Sequence, residues 1–340
     1  MLRGAIVGFG KIARTNHLRA FYDIRLNDKV IITSAVEIDD NIRETIKKEY
    51  TGINFYKTQD ELFEKEKLDF IDITTPPKYH KSIIENALAK NVHIICEKPF
   101  TLSLDEADKL YHKINSSNIL FVPCHQYKYS KVWSEFKKFI NEMHDDTKVF
   151  IQFNVFRSGA DPGLKTNDEP WRLNKEISGG GILSDTGFHY LYLSNWLLQS
   201  PLKVTTINNN LSHPKNEIED TSQVILEYEK GTVQINLTWS FHSRRNEAKL
   251  ISKNGSLFYN GEDFLTKNFD GFEEQIAVTN ISDKYHYTGL YVDLFSEFVE
   301  AIEKSKISKE GLNEAYNTIN LLTRCYQSAT ELKSIDLNNE

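Results

Sequence analysis

Two groups of residues have the types and spacing of working chemistry. The first is Gly8-Phe9-Gly10-Lys11-Ile12-Ala13, which directly follows a short apolar run, Gly4 to Val7, and opens a helical pattern, Ile12 to Phe21. Gly8 suits a tight turn, Gly10 lets backbone approach a pyrophosphate, and Ala13 permits close helix packing, while the helix N-terminus offers free N–H groups. Glu37 stands at the end of the next apolar run, Val30 to Val36. A carboxylate there accepts both ribose hydroxyls of an adenosine and repels a 2′-phosphate. The combination points to a dinucleotide and favours NAD over NADP. Asp39 and Asp40 add negative charge, and Arg43 is close enough in sequence to bear on that choice.

The second group is Gly179-Gly180-Gly181-Ile182-Leu183-Ser184-Asp185-Thr186-Gly187-Phe188-His189. Three glycines bring backbone close to something. If the following segment is helical, Asp185 and His189 are four apart and share a face, which suits a carboxylate orienting an imidazole. The bland alternative is an N-capping Asp185 beside a surface histidine. No HExxH or Cys/His cluster marks a metal site, so none is expected.

Between these groups, Thr74-Thr75-Pro76-Pro77-Lys78-Tyr79-His80 and Cys96-Glu97-Lys98-Pro99-Phe100 follow two further apolar runs. Carboxyl ends of parallel strands are where open α/β sheets bind ligands, which favours a crevice-facing Lys98 over a solvated one. The Gly-, Pro-, Asp- and Asn-rich loop Ser158 to Ser178, with Trp171 and Arg172, is either a substrate border or a surface excursion. Arg244, Arg245 and Lys249 form either an anion receiver or, more simply, a solvated basic patch.

The elements that must position these residues fall into two patterns. Up to about Pro123, apolar runs at Gly4–Val7, Val30–Val36, Asn54–Tyr56, Phe70–Ile73, Val92–Cys96 and Ile119–Val122 alternate with helical stretches such as Lys81–Ala89 and Leu104–Ile114. Ser103 and Asp105 supply capping chemistry to the last of these. This is the signature of a doubly wound parallel sheet, an α/β Rossmann half. After an amphipathic helix, Lys131–Met143, and a polar turn, His144–Thr147, the pattern changes. Val149, Ile151, Phe153 and Val155, and later Val233, Ile235, Leu237 and Trp239, alternate with polar neighbours, as half-buried antiparallel strands do. Two helical segments, Tyr291–Glu303 and Asn313–Leu332, close an α+β half. The expected division is a dinucleotide-binding domain over 1–125 and a substrate-binding and oligomerisation domain over 126–340.

The 340 residues carry 41 Lys+Arg against 48 Asp+Glu, a net charge of -7, which works against a nucleic-acid partner. No apolar run reaches the roughly 18 residues of a membrane span, and Met1-Leu2-Arg3 shows no signal-peptide pattern. Three cysteines, Cys96, Cys124 and Cys325, make neither a metal knuckle nor a disulfide framework. A cytoplasmic location is expected.

Together these residues resemble the glucose-fructose oxidoreductase / inositol dehydrogenase family, Gfo/Idh/MocA. The likeness rests on G-F-G-K-I-A, T-T-P-P-K-Y-H, E-K-P at Glu97 to Pro99, and P-W-R at Pro170 to Arg172 leading into G-G-G-I-L-S-D-T-G-F-H. Weaker echoes are Glu219-Asp220-Thr221, Gly231 before a strand ending at Trp239, and Asn254-Gly255-Ser256-Leu257. The resemblance implies a Rossmann domain followed by a domain on a mostly antiparallel open sheet, one face of which joins subunits into a homodimer or homotetramer. It implies hydride transfer between NAD(H) and a CH–OH group of a sugar, cyclitol or derivative. It implies Lys98, Asp185 and His189 as catalytic residues, with either Lys98 or His189 as the base. Cofactor contacts would come from Gly8 to Ala13, Glu37, Thr74, Thr75, Pro76, His80, Glu97, Lys98 and Gln126. Substrate contacts would come from Lys98, Tyr127, Trp171, Arg172, Asp185 and His189, and His125 is expected near the nicotinamide. Tyr192 stands where relatives often have an acid, three residues after the histidine. Two other functions fit the same resemblance, a glycosidase-like lyase that retains NAD and a non-catalytic regulator that binds NAD and a sugar.

Overall fold

The computed structural model describes residues 1–144, 146–163, 170–212, 217–283 and 286–337. Residues 164–169 of the loop Ser158 to Ser178, and Asp145 of the polar turn, lie outside them. The chain forms two compact units. One is built on Met1–His125 and Tyr287–Asn317, the other on Gln126–Asp161, Pro170–His286 and the chain from Thr318 onward.

The first unit carries six strands, β1 (Leu2–Val7), β2 (Val30–Val36), β3 (Asn54–Tyr56), β4 (Phe70–Ile73), β5 (His93–Cys96) and β6 (Phe121–Pro123), in the order β3-β2-β1-β4-β5-β6. Every pair is parallel. Strands such as β4 are buried along their whole length, because helices cover both faces of such a sheet. The order reverses between β1 and β4, so the turn after β1 lies at the switch point where these sheets bind ligands. The sixth strand begins later than the apolar run Ile119–Val122 suggested. The Leu120 N–H is taken by the His93 imidazole, 3.0 Å away, rather than by the ladder. Ser103 caps the helix Leu104–Asn115 as expected, accepting from the Glu106 N–H.

The helix Tyr287–Glu303 belongs to this unit, not to the second domain in which the sequence pattern placed it. Its aromatic face supplies the reason. Phe295 stacks on Phe21 at 4.3 Å and Phe298 meets Phe70 edge-on at 5.4 Å. Arg25 pairs with Asp293 at 2.7 Å. An apolar stripe read from sequence does not say which sheet it covers.

The second unit holds a nine-stranded sheet. Its strands are β7 (Val149–Phe156), β8 (Lys203–Asn209), β9 (Thr221–Tyr228), β10 (Gly231–Thr238), β11 (Arg245–Ser252), β12 (Gly255–Tyr259), β13 (Phe264–Phe269), β14 (Phe272–Ala277) and β15 (Ile335–Asp336), in the order β14-β13-β12-β11-β7-β10-β9-β8-β15. The sheet is mostly antiparallel: β7 pairs antiparallel with β11 and β10 with β9, as expected, while β7 and β10 run parallel to each other, a pairing the sequence reading did not foresee. Period-two alternation reports a buried face and not a direction, and the long connection between the two strands permits a parallel crossover. On the buried face Ile151, Phe153 and Val155 pack under the helices Lys131–Glu142 and Phe188–Leu198, where Trp133, Phe153 and Tyr190 make edge contacts. The other face leaves Phe150, Ile207, Ile225 and Ile251 exposed.

Candidate active site

In the first unit the glycine turn is held from below. Gly8 has φ +95°, and a Cβ there would stand 2.7 Å from the Thr75 methyl and 2.9 Å from its nitrogen. Only glycine lets the turn rest on the Thr74–Thr75 backbone. The Thr74 hydroxyl donates to the Gly8 carbonyl at 2.5 Å. A Cβ on Gly10 would meet nothing within 4 Å, so no protein contact requires the second glycine. A pyrophosphate against that backbone would, and the group fits there. Phe9 and Ala13 are fully buried, Phe9 against Phe55 and Tyr50, so these two serve the turn by packing. Lys11 is exposed and Ile12 half-buried at the mouth of the helix.

Glu37 ends β2 as the sequence indicates, and its Oε1 accepts the Asp39 N–H at 3.0 Å. Burial raises its carboxyl above the usual range, with the Asp39 charge adding to it. Arg43 is committed to the protein. It donates to the Glu37 carbonyl at 2.7 Å and pairs with Asp40.

At the ends of β4 and β5 the residues have mixed fates. Thr75 and Pro76 are half-buried at the switch point, as is Lys98. His80 is fully buried, one ring nitrogen 2.9 Å from the Pro99 carbonyl and the other 2.8 Å from the Thr75 carbonyl. It ties the two loops together, so a direct contact to cofactor is replaced by a bracing role. Glu97 likewise points inward. Its Oε1 accepts from His17 at 3.1 Å and from the Tyr291 hydroxyl at 2.7 Å, and its Oε2 accepts the Lys98 N–H at 3.1 Å. His125 is buried beside Glu314, 3.4 Å away.

In the second unit the glycine-rich segment approaches protein. A Cβ on Gly181 would stand 1.8 Å from the Glu219 carbonyl oxygen, and one on Gly180 would stand 1.9 Å from the Tyr326 hydroxyl. The Glu219 carboxylate accepts the Gly181 and Leu183 N–H groups at 3.1 and 3.0 Å and the Tyr326 hydroxyl at 2.9 Å. It thus satisfies the first N–H groups of a π-helical turn, Leu183–Gly187, which leads into the helix Phe188–Leu198. This anchor was visible in sequence only as a weak family echo.

Asp185 and His189 do rise from this one segment, but each has a partner other than the one their spacing suggests. The Arg172 guanidinium donates from Nε to Asp185 at 3.1 Å, stacks over the Trp171 ring at 4.3 Å and reaches the Asp161 carbonyl at 3.3 Å. The group beside His189 Nδ1 is the Tyr192 hydroxyl, at 3.2 Å. Tyr127 lies flat on the imidazole, ring centres 4.2 Å apart and planes 10° apart, and its N–H donates to the Tyr192 oxygen at 3.1 Å. The π-turn is the physical reason, because Asp185 sits within it and the regular four-residue helical spacing does not apply. Gln126 is buried at the start of this unit. Two of the three basic residues of the patch bond within the protein: Arg244 donates to the Ser282 carbonyl at 2.9 Å, and Arg245 pairs with Glu247 at 2.7 Å.

A Rossmann sheet with a phosphate-ready turn and a strand-end acid, followed by a unit on an open mixed sheet, defines a dinucleotide-binding protein of the oxidoreductase type. Residues 2–124 match the model of the Gfo/Idh/MocA oxidoreductase family's NAD-binding Rossmann fold, and residues 147–258 match that of the Gfo/Idh/MocA C-terminal domain. The chain belongs to the Gfo/Idh/MocA family. It is 28% identical over 182 residues to an oxidoreductase of Schizosaccharomyces pombe, covering 53% of this chain and 48% of that protein. It is 24% identical over 234 residues to a D-apiose dehydrogenase of Rhizobium rhizogenes, covering 69% of this chain and 64% of the relative. The chain thus spans about half to two thirds of the length of these two relatives. The fold is shared with a levoglucosan dehydrogenase solved with NADH and levoglucosan, at a TM-score of 0.85 and 17% identity over 99% of this chain and 100% of the other. Among the described residues, no helix is long and apolar enough to cross a membrane.

Proposed function

We propose that this protein is an NAD-dependent dehydrogenase that oxidises a CH–OH group of a sugar, cyclitol or derivative to the ketone. The observation that carries the proposal is the His189 site, an imidazole clamped by the Tyr127 ring with Nδ1 met by Tyr192, in a family whose other half binds NAD. NAD supplies the hydride acceptor when bound, and the Gly8–Ala13 turn and Glu37 would hold it. The chain must place the carbinol carbon and take the hydroxyl proton. His189, its Nδ1 beside the Tyr192 hydroxyl, takes the hydroxyl proton, a role that the imidazole side chain suits near neutral pH. Lys98 hydrogen-bonds the reacting oxygen and stabilises developing alkoxide charge, or exchanges that role with the histidine. Asp185, held by Arg172, binds a neighbouring hydroxyl rather than orienting the imidazole. The Trp171–Arg172 stack borders the substrate with Tyr127.

The test is a panel of sugars and cyclitols offered with NAD and read as NADH absorbance. Net NADH production with a free polyol is the expected result, and its absence across the panel alongside firm NAD binding would favour a redox-neutral lyase or a regulator. With the best substrate, Lys98→Met and His189→Ala should each lower turnover by roughly 10²- to 10⁴-fold while NADH affinity holds. Normal turnover in both would refute the site.

Two further parts of the proposal concern the protein's setting. Three free, buried cysteines suit a reducing compartment such as the cytoplasm. The exposed Phe150, Ile225 and Ile251 face of the second sheet suits a homodimer or homotetramer, which light scattering would exclude by reporting a 39.4 kDa monomer.

A further inference from the structure

We propose that His17, Asp72 and Tyr291 are positioning residues for Lys98, which hold the Glu97 carboxylate to which the Lys98 backbone is bonded. The proposal rests on the reading of Lys98 as a substrate-contacting group. Four elements of the first unit meet here: the π-helical turn Ala13–His17 after the glycine turn, β4, the loop after β5, and the helix Tyr287–Glu303. His17 Nδ1 lies 2.8 Å from Asp72 Oδ2 and its Nε2 lies 3.1 Å from Glu97 Oε1. Both ring nitrogens therefore face carboxylate oxygens, and both make good hydrogen bonds only as N–H donors, so the ring is an imidazolium. The Tyr291 hydroxyl donates to the same Glu97 oxygen at 2.7 Å, and the other Glu97 oxygen accepts the Lys98 N–H at 3.1 Å.

A gain in stability alone would not select charges over apolar side chains at this place. His17 and Asp72 are fully buried and Glu97 is 9% exposed. Buried ion pairs of this kind are weak stabilisers compared with apolar packing of the same shape, and their best-attested use is to impose one arrangement on their surroundings. Here the arrangement imposed is that of the residue next to Lys98. The Cys124 thiol also lies within 4.8 Å of the His17 and Glu97 donor atoms, a trio with metal-ligand types. Burial holds that thiol well above its usual range, and a ring already donating to two carboxylates has no lone pair for a metal. The imidazolium fills the cation's place. The network also runs from the π-helical turn after the glycine turn to the Lys98 loop, so one buried charge ties those two segments together. A π-turn at such a position is a frequent mark of a functional constraint.

The experiment uses the full chain. Tyr291→Phe removes one donor and keeps the ring, Glu97→Gln keeps the shape and removes the charge, and Lys98→Met runs beside them. Acetic anhydride labelling of Lys98 at pH 8, measured against exposed Lys67 by peptide mass spectrometry, needs no substrate. Fluorescence reads NADH affinity, and kcat and KM are read with NAD and whichever of levoglucosan and D-apiose is oxidised. The charged network holds the Lys98 backbone, so its loss in Glu97→Gln is expected to change Lys98 labelling at least about threefold. Tyr291→Phe is expected to lower kcat roughly ten- to a hundredfold while KM and NADH affinity change less than about twofold, the split of a misplaced group rather than a damaged fold. Unchanged labelling in Glu97→Gln together with unchanged kcat in Tyr291→Phe, both folded, would overturn the proposal. If neither sugar is oxidised, the labelling result decides it alone. Full turnover in Lys98→Met would overturn the role of Lys98 itself, and the labelling still decides whether the network positions it.

Discussion

At the scale of single residues, the buried charges make the sharpest statement about pH. Burial alone would lower His17, but the Asp72 and Glu97 carboxylates raise it to about 9 from 6.5. A folded-state value above the unfolded one means stability that is fully present below about pH 6.5 and is lost as pH rises through 9. The expected loss is on the order of 2 kcal/mol across that window, read as a falling thermal midpoint between pH 6.5 and 9.5. His17→Gln should lack that limb, and an identical decline in the variant would assign it to other groups. Glu97 behaves oppositely: burial resists its charge, yet His17, Lys98 and Tyr291 bring it down to about 2 from 4.5. Its contribution holds above pH 4.5 and fades only as pH falls through 2. For the cofactor, Glu37→Ser is expected to narrow the preference for NAD over NADP by on the order of 1 to 3 kcal/mol, and a wild type that titrates more tightly with NADP would remove Glu37 from that role.

Residues of this kind were unequally legible. Gly8, Glu37, Lys98, Asp185 and His189 announce themselves because their meaning is local, a glycine in a turn or an acid at a strand end. Their partners do not. Arg172 for Asp185 and Tyr192 for His189 were in view without being paired, and His17 and Tyr291 come from segments that read as ordinary helix. Asp72 did carry a signal: a lone carboxylate inside the apolar run Phe70-Ile71-Asp72-Ile73 had to find a buried cation.

At the scale of elements, both site-bearing helices begin with a π-helical turn, Ala13–His17 in one unit and Leu183–Gly187 in the other. Neither turn could be read from periodicity, since five-residue bonding shifts every later side chain off the 3.6-residue pattern. The second is fixed by Glu219 from outside the helix, and this explains Gly180 and Gly181 better than a nearby ligand does. Gly181→Ala drives a Cβ to 1.8 Å of the Glu219 carbonyl. It is expected to destabilise the protein by roughly 1 to 3 kcal/mol, measured by urea unfolding, and to lower turnover by displacing Asp185 and His189. A variant as stable and active as the wild type would show that the turn has room the geometry denies. Strand existence was the most legible feature, because β1 to β6 are apolar runs between helices. The parallel pairing of β7 with β10 was the least, because alternation is blind to direction.

At the scale of the whole molecule, the chain leaves the first unit at His125, builds most of the second, and returns to the first through Tyr287–Asn317. The first unit is therefore incomplete in sequence terms at residue 125, although all six strands of its sheet lie before that point. Phe21 and Phe70 are at most 1% exposed, and Phe295 and Phe298 cover them. Each such phenylalanine is worth on the order of 2 to 3 kcal/mol of burial, a large part of the margin by which a domain of this size is stable. Residues 1–125 expressed alone would also lose the Tyr291 hydroxyl from a cluster that then faces solvent with His17, Asp72 and Glu97. The fragment is expected to aggregate or melt without cooperativity and to bind NADH weakly. Joining residues 287–317 to it by a flexible linker should restore a cooperative melt and NADH binding, both read against the full chain. A fragment 1–125 that melts as sharply as the intact protein would mean that the returning helix merely rests on a finished sheet, and the charge network beneath Lys98 would then have to close without Tyr291.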